Sequence, residues 1–233
     1  MEVGVIFLSL GKTPKLREMQ QNAIDSCIDS DLDINFKVLV CESGNENWNY
    51  DKAVTVRPPE GTPFNYNLYM NSCRTHPMFE GCEYIALCNS DLLFTKDWAT
   101  NLIKAMKREG VLSACPMEPK IHAKVQFQEG VNEGRQITTG DRHVAGWCIL
   151  QDVKLYETMP FLDTRCEFWH SDVLYSVQLK HYGLKHILVE DSKVHHLTSQ
   201  TLYSEVISED VRKHYTHGQD HHIIPLIKNG SLS

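Results

Sequence analysis

The 233-residue sequence has no stretch of about 18 consecutive apolar residues, so no segment reads as a membrane-spanning helix. Its first ten residues carry Glu2 and a short apolar run without the basic start of a secretory signal, and the expectation is a soluble, cytoplasmic protein. Net positive charge is also missing. At −7 with a pI near 5.9, the molecule as a whole does not attract nucleic acid or an anionic membrane. Eight cysteines are scattered with no Cys-x-x-Cys pair, and several sit inside apolar runs, which argues for reduced thiols acting as small hydrophobes rather than a disulfide or zinc framework. Internal repeats and low-complexity tracts are absent too, which leaves an ordinary globular domain with enough chain for a full core.

What is present is a series of apolar runs that end in polar residues. Val3 to Leu10 reads as a buried strand, and Thr13-Pro14 supplies a cap and a first-turn proline for a helix carrying Leu16, Met19, Ala23, Ile24 and Cys27 on one face. Asn35 to Cys41 is a second strand ending at Glu42, so strand, helix and strand make a parallel crossover unit and the fold class is α/β. A short strand at 53–56, a helix over 66–73 and a strand over 84–88 follow. That last strand stops at Asn89-Ser90-Asp91. Residues 96–109 form the clearest helix, stopped by Gly110, and 111–114 a short strand. Residues 117–142 are polar and glycine-bearing, and read as a mobile loop or insertion. Order returns at 144–150, in a helix over 171–181 and in a strand over 186–189. Residues 1–203 are taken as the domain and 204–233 as a C-terminal extension, either a helix packed outside the core or a partly ordered tail.

Ligands collect outside the carboxyl ends of strands in open α/β sheets. Glu42, Asp91, Asp172 and His196 all fall at or just beyond a strand end or helix start. An Asp there suits Mg²⁺ or Mn²⁺ carrying a diphosphate, because hard cations take oxygen ligands. Asp172 would accept a proton from an attacking hydroxyl, and His196, or its neighbour His195, would complete the metal shell. Plainer readings stand beside these. Asp91 and Asp172 could be cap or turn residues, one of two adjacent histidines points outward on a strand, and Trp147 and Trp169 could be core.

The ordered set Ser9-Leu10-Gly11-Lys12-Thr13, Val40-Cys41-Glu42-Ser43, Phe64-Asn65-Tyr66-Asn67 with Asn71, Asn89-Ser90-Asp91, Gly146-Trp147, Trp169-His170-Ser171-Asp172 and His196 with Ser199 and Thr201 resembles a GT-A fold glycosyltransferase of the family 2 type over residues 1–201. The resemblance implies a single GT-A domain, Rossmann-like, with a mostly parallel central sheet flanked by helices. It implies donor-binding roles for Ser9, Gly11, Thr13, Glu42, Asn67, Asn71, Asn89, Ser90 and Asp91, and a metal, Mn²⁺ or Mg²⁺, on Asp91 and His196. The family's Asp-x-Asp reads Asn89-Ser90-Asp91, with an amide for the first carboxylate. Its Glu-Asp base pair reads Ser171-Asp172, so Asp172 carries the base role alone. Gly146, Trp147, Trp169 and His170 would line the acceptor or sugar pocket. The implied partners are a nucleotide-sugar donor, UDP-sugar favoured, and an acceptor hydroxyl, with inversion at the transferred carbon. A weaker similarity runs to glycosyltransferase-like proteins of bacteriophages, which would put the protein in a host cytoplasm and allow a modified DNA base as acceptor. Alternatives are a nucleotidyltransferase of similar fold, for which Gly11-Lys12 is a thin phosphate loop, and a noncatalytic nucleotide- or sugar-binding module.

Overall fold

A computed structural model describes residues 1–44, 47–123, 131–134, 144–198, 200–218 and 220–229. In chain order the strands are β1 (Glu2–Ser9), β2 (Asn35–Glu42), β3 (Val54–Val56), β4 (Tyr84–Asn89), β5 (Leu92–Phe94), β6 (Ser113–Met117), β7 (Val131–Gly134), β8 (Cys148–Asp152) and β9 (His186–His196). The helices are α1 (Pro14–Asp29), α2 (Tyr66–Cys73), α3 (Trp98–Glu109), α4 (Leu155–Thr158), α5 (Ser171–His181), α6 (Glu209–Lys213) and α7 (Asp220–Asn229).

Val3, Val5, Ile6 and Phe7 are wholly buried because β1 lies between two parallel neighbours, with Val5 opposite Val38 of β2 on one edge and Ala86 of β4 on the other. A strand covered on both faces must be apolar throughout rather than alternating, and that is how β1 and β4 read. The sheet runs β3-β2-β1-β4-β8-β6-β9-β5, with β7 also against β9. Its β3-β2-β1-β4 half is parallel. β8 enters antiparallel between β4 and β6, and β6 and β9 are parallel again. The insertion of β8 carries the residues just before it, Gly146 and Trp147, to the carboxyl end of β4.

Helix boundaries follow their chemistry. Thr13 caps α1 by accepting the Leu16 N–H, Asn65 caps α2 by accepting the Leu68 N–H, and Gly110 ends α3 in the left-handed region at φ 65°. Trp98 of α3 is fully buried between the rings of Phe36 and Phe94.

Helix α4 has no counterpart in the sequence reading, β6 lies two to three residues beyond the expected 111–114, and three strands depart further. The β9 strand runs on from Val189 to His196, β5 pairs with its far end, and residues 131–134, inside the stretch read as a loop, form β7 along its start. Residues 124–130 and 135–143 of that stretch lie outside the described residues. The C-terminal segment packs against the domain: Tyr215 sits edge-on to Phe64 and Phe168, Ile223 is buried with Cys166 and Leu174, and His214 meets Glu167 at 2.8 Å. No helix among the described residues is long and apolar enough to cross a membrane.

Candidate functional site

At the carboxyl ends of β1 and β2, Glu42 is 2 % exposed and works as a knot. One carboxylate oxygen accepts the N–H of Gly11 at 2.8 Å and of Gly44 at 2.7 Å, and the other accepts the Tyr50 hydroxyl at 2.7 Å. Ser9 Oγ lies 2.8 Å from the same Tyr50 oxygen. Gly11 has no room for a side chain, since a Cβ there would stand 2.6 Å from the Glu42 carboxylate and 2.7 Å from the Tyr50 oxygen. Glu42 thus shapes the loop after β1, which leaves the strand at Ser9 and includes Gly11. Arg17 of α1 donates to the Gly11 carbonyl and lies over the half-exposed indole of Trp48 at 4.7 Å. Tyr50, Arg17 and Trp48 went unread in the sequence, where a lone aromatic in a polar loop carries no signal.

At the end of β4, Asp91 is 4 % exposed and its carboxylate stands 3.2 Å from His196 Nε2. Antiparallel pairing of Leu92 with His196 brings the two together across 105 residues, and the same alternation turns His195 to solvent. The chain after β9 folds over Asp91: Leu197 N–H donates to its carbonyl, Gln200 N–H to its carboxylate at 3.3 Å, and Thr201 Oγ1 lies 3.3 Å from Ser90 Oγ. Ser199 lies outside the described residues. His196 is close enough to Asp91 for an ion pair yet misaligned for a hydrogen bond, and both its ring nitrogens are buried without a hydrogen-bond partner among the described residues. An orphaned buried imidazole beside a buried carboxylate is costly unless something else satisfies them. Two ligands at right angles and about 2.1 Å from one cation lie about 3 Å apart, so the spacing of the pair fits a divalent ion whose remaining ligands come from elsewhere. No group of three or more His, Cys, Asp or Glu positioned for a metal occurs among the described residues.

Asp172 lies in the first turn of α5. Its side chain accepts the Val173 N–H at 2.8 Å and the Gly146 N–H at 3.5 Å. Burial pushes its carboxyl above the ordinary carboxylate value, and these N–H donors pull the other way without cancelling the rise. A carboxylate raised in this way is a better proton acceptor than a solvated one. Beside it is a cavity of about 10 Å³, room for one water, lined among others by Tyr66, Asn67, Gly146, Asp172 and Tyr175. Tyr66 donates its hydroxyl to the Gly146 carbonyl at 3.3 Å.

Gly146 and Trp147 connect the two centres. Gly146 touches Asp172, Trp147 stacks on His196 with ring centroids 5.5 Å apart, and the Trp147 carbonyl accepts the Asn89 N–H at 2.9 Å. Adjacent residues are 3.8 Å apart at Cα, so the Asp91–His196 pair and Asp172 flank one short segment of chain at the carboxyl end of β4.

Several expected roles fall elsewhere. Asn67 and Asn71 spend their amides on the carbonyls of Asp163 and Leu162 at 2.6 and 2.8 Å, holding the 160s loop. Thr13 is occupied as the α1 cap. Trp147 is 8 % exposed, with the His196 ring 5.5 Å and the His122 ring 6.0 Å from its own, which leaves little of it open to a sugar ring. His170 binds Asp220 of the C-terminal segment at 3.0 Å and takes a left-handed φ of 72° to start α5. Trp169 keeps 40 % of its surface exposed.

Among solved structures, the chain is similar to GalNAc-T7 with UDP, GalNAc and Mn²⁺, at a TM-score of 0.60 and 9 % identity over 92 % of this chain and 47 % of that one. It is also similar to S. aureus TarS 1–349, at a TM-score of 0.56 and 12 % identity over 83 % and 59 %. The chain therefore spans about half the length of the structures it matches. At such low identity the likeness establishes the fold, which is the GT-A arrangement of a mixed α/β single domain. No protein-family model matches the sequence, and no curated protein matches it in sequence.

Proposed function

We propose that this chain is a metal-dependent, inverting glycosyltransferase that moves a sugar from a nucleotide-diphosphate donor, UDP-sugar favoured, to an acceptor hydroxyl. One observation carries the reading: residues 146 and 147 touch, side by side, a carboxylate with a raised proton affinity and the His196 ring, whose nitrogens have no hydrogen-bond partner among the described residues and which stands 3.2 Å from the Asp91 carboxylate. Binding a leaving diphosphate and activating an alcohol are the two demands of this transfer, and each centre suits one of them. The fold neighbour solved with UDP, GalNAc and Mn²⁺ supports the choice of donor class and metal.

In this reading the loop knotted by Glu42 receives the nucleoside, with Ser9 and Gly11 along its edge, and Asn89 and Ser90 lie beside the diphosphate. Asp91 and His196 would hold Mn²⁺ or Mg²⁺. That ion would supply positive charge against the charge developing on the diphosphate. Asp172 takes the proton of the acceptor hydroxyl as its oxygen bonds to the anomeric carbon; the bond from that carbon to the diphosphate breaks on the opposite side, and the nucleoside diphosphate leaves. One displacement inverts the carbon and needs one base. Trp169, exposed two residues from α5's Ser171, offers the acceptor side an aromatic face. The net charge of −7 disfavours a DNA acceptor.

A noncatalytic binding module is the second reading, favoured by Asn89 where a carboxylate would strengthen the metal site. Thermal shift with UDP plus Mn²⁺ against UDP plus chelator tests the donor site, and release of UDP from UDP-sugars with Mn²⁺ separates enzyme from module. Asp172→Asn is expected to cut turnover by about 10²–10⁴. Absence of any metal-dependent shift across the nucleotides would reject the donor assignment.

A further inference from the structure

A metal-binding histidine normally has its second nitrogen hydrogen-bonded to a carboxylate, carbonyl or water, and that bond fixes the plane of the ring. His196 has no such partner among the described residues. What it does have is a stack. The Trp147 ring is 5.5 Å from the His196 ring and tilted 21° to it, and the His122 ring lies 6.0 Å from Trp147 at 33°. His122 is 1 % exposed and pinned in place: its Nδ1 accepts the Glu118 N–H at 2.9 Å, and the Glu118 carboxylate closes the same turn on the N–H groups of Lys120 and Ile121.

We propose that Trp147, backed by the Glu118–His122 turn, is the positioning residue for His196, setting the imidazole plane by ring stacking where a hydrogen bond would ordinarily do so. The proposal rests on the metal role given above to Asp91 and His196. Its physical basis is that parallel aromatic faces at this spacing restrict rotation about the His Cβ–Cγ bond, while a buried ring free to turn would lose its aim at the Asp91 side. It also explains why a tryptophan that looks like a sugar platform is only 8 % exposed. Trp147 touches no reacting atom in this role.

The test is Mn²⁺ binding in the presence of UDP, followed by the electron-spin signal of free Mn²⁺ and by nitrogen coupling to bound Mn²⁺, with the full chain in each case. Wild type should bind Mn²⁺ with nitrogen coupling that His196→Ala removes. Trp147→Leu should weaken Mn²⁺ about 10–100-fold, the usual effect of removing an outer-shell partner, and broaden or lose the nitrogen coupling while UDP binding without metal stays as in wild type. Trp147→Phe, which keeps an aromatic face, should recover most of the affinity. His122→Leu should move affinity in the same direction by less, and covers the case in which Trp147→Leu does not fold. Wild-type Mn²⁺ affinity and coupling in folded Trp147→Leu, or in His122→Leu where only that variant folds, would overturn the proposal. If wild type shows no nitrogen coupling, the metal assignment of His196 fails first, and this inference with it.

Discussion

Gly146→Ala probes the contact on which the base assignment depends. A Cβ at 146 would stand 2.9 Å from Asp172 Cβ and 3.4 Å from its carboxyl carbon. Carbon atoms settle at about 3.5–4.0 Å, so the two must separate by about 0.6 Å or more. The Asp172 Cβ is fixed by the backbone of α5's first turn and cannot rotate away, so the adjustment has to move either the start of that helix or the chain entering β8. Either movement carries the carboxylate with it or pulls the Gly146 N–H from it. Overpacking of this kind costs about 1–3 kcal/mol of stability, a drop in Tm of about 2–4 °C per kcal/mol for a chain of this size. A displacement approaching 1 Å at a reacting group lowers rate by up to about 10²-fold. The expected outcome is a modest loss of Tm with kcat down about 10–100-fold and donor KM held, measured by thermal unfolding and steady-state transfer. A folded Gly146→Ala enzyme with wild-type kcat would refute the reasoning, because it would show that the placement of Asp172 is immaterial.

Asp172→Asn should also change stability with a definite pH dependence. The native carboxyl sits above its ordinary value, so its contribution favours folding at low pH and is lost as pH rises through the native value; the variant should therefore gain Tm relative to wild type at pH 8 and lose that advantage near pH 4, and an equal difference at both pH values would reject the burial argument. Gly11→Ala puts a methyl 2.6 Å from the Glu42 carboxylate and breaks the knot, so donor KM should rise about tenfold, about 1.4 kcal/mol, with kcat at saturating donor retained; an unchanged KM would remove Glu42 and its loop from donor binding. Tyr215→Ala deletes edge-on contacts to Phe64 and Phe168 worth about 0.5–1.5 kcal/mol each, and limited proteolysis between residues 203 and 215 should quicken about tenfold.

The parallel half of the sheet was legible because strands buried on both faces cannot alternate, and Val3 to Leu10 and Tyr84 to Cys88 do not. Helix α1 announced itself by Thr13-Pro14, and α5 matched its boundaries of 171 and 181. The extent of β9 was hidden by Glu190-Asp191, where two successive exposed polar residues look like a strand end although pairing resumes beyond them. β5, three residues long, has too little pattern to be read. For the site, strand-end placement pointed to Asp91 and His196, which the fold brings together. Asn67 and Asn71 misled because their partners, the main chain near residue 162, are 91–96 residues away and no local signal records which amides are already in use. Trp147 misled for a related reason: sequence gives a ring but not what lies against its faces. The left-handed turn at His170 had no glycine to mark it.

The shift in pairing between Pro116 and Met117 along β9, together with the Ser192 hydroxyl bonded to the Trp98 carbonyl at 2.8 Å, fixes how far β9 has advanced by the time it reaches β5. Side chains alternate along a strand, so a slip of one residue in one direction would exchange His195 for His196 on the inner face, and in the other would bring Leu197 there. The tandem imidazoles make the first slip chemically quiet, since His195 would then take the place of His196 beside Asp91 and the indole. A one-residue insertion between 190 and 195 would put His195 in the place of His196, whereas a one-residue deletion would put Leu197 there and leave Asp91 without an imidazole beside it.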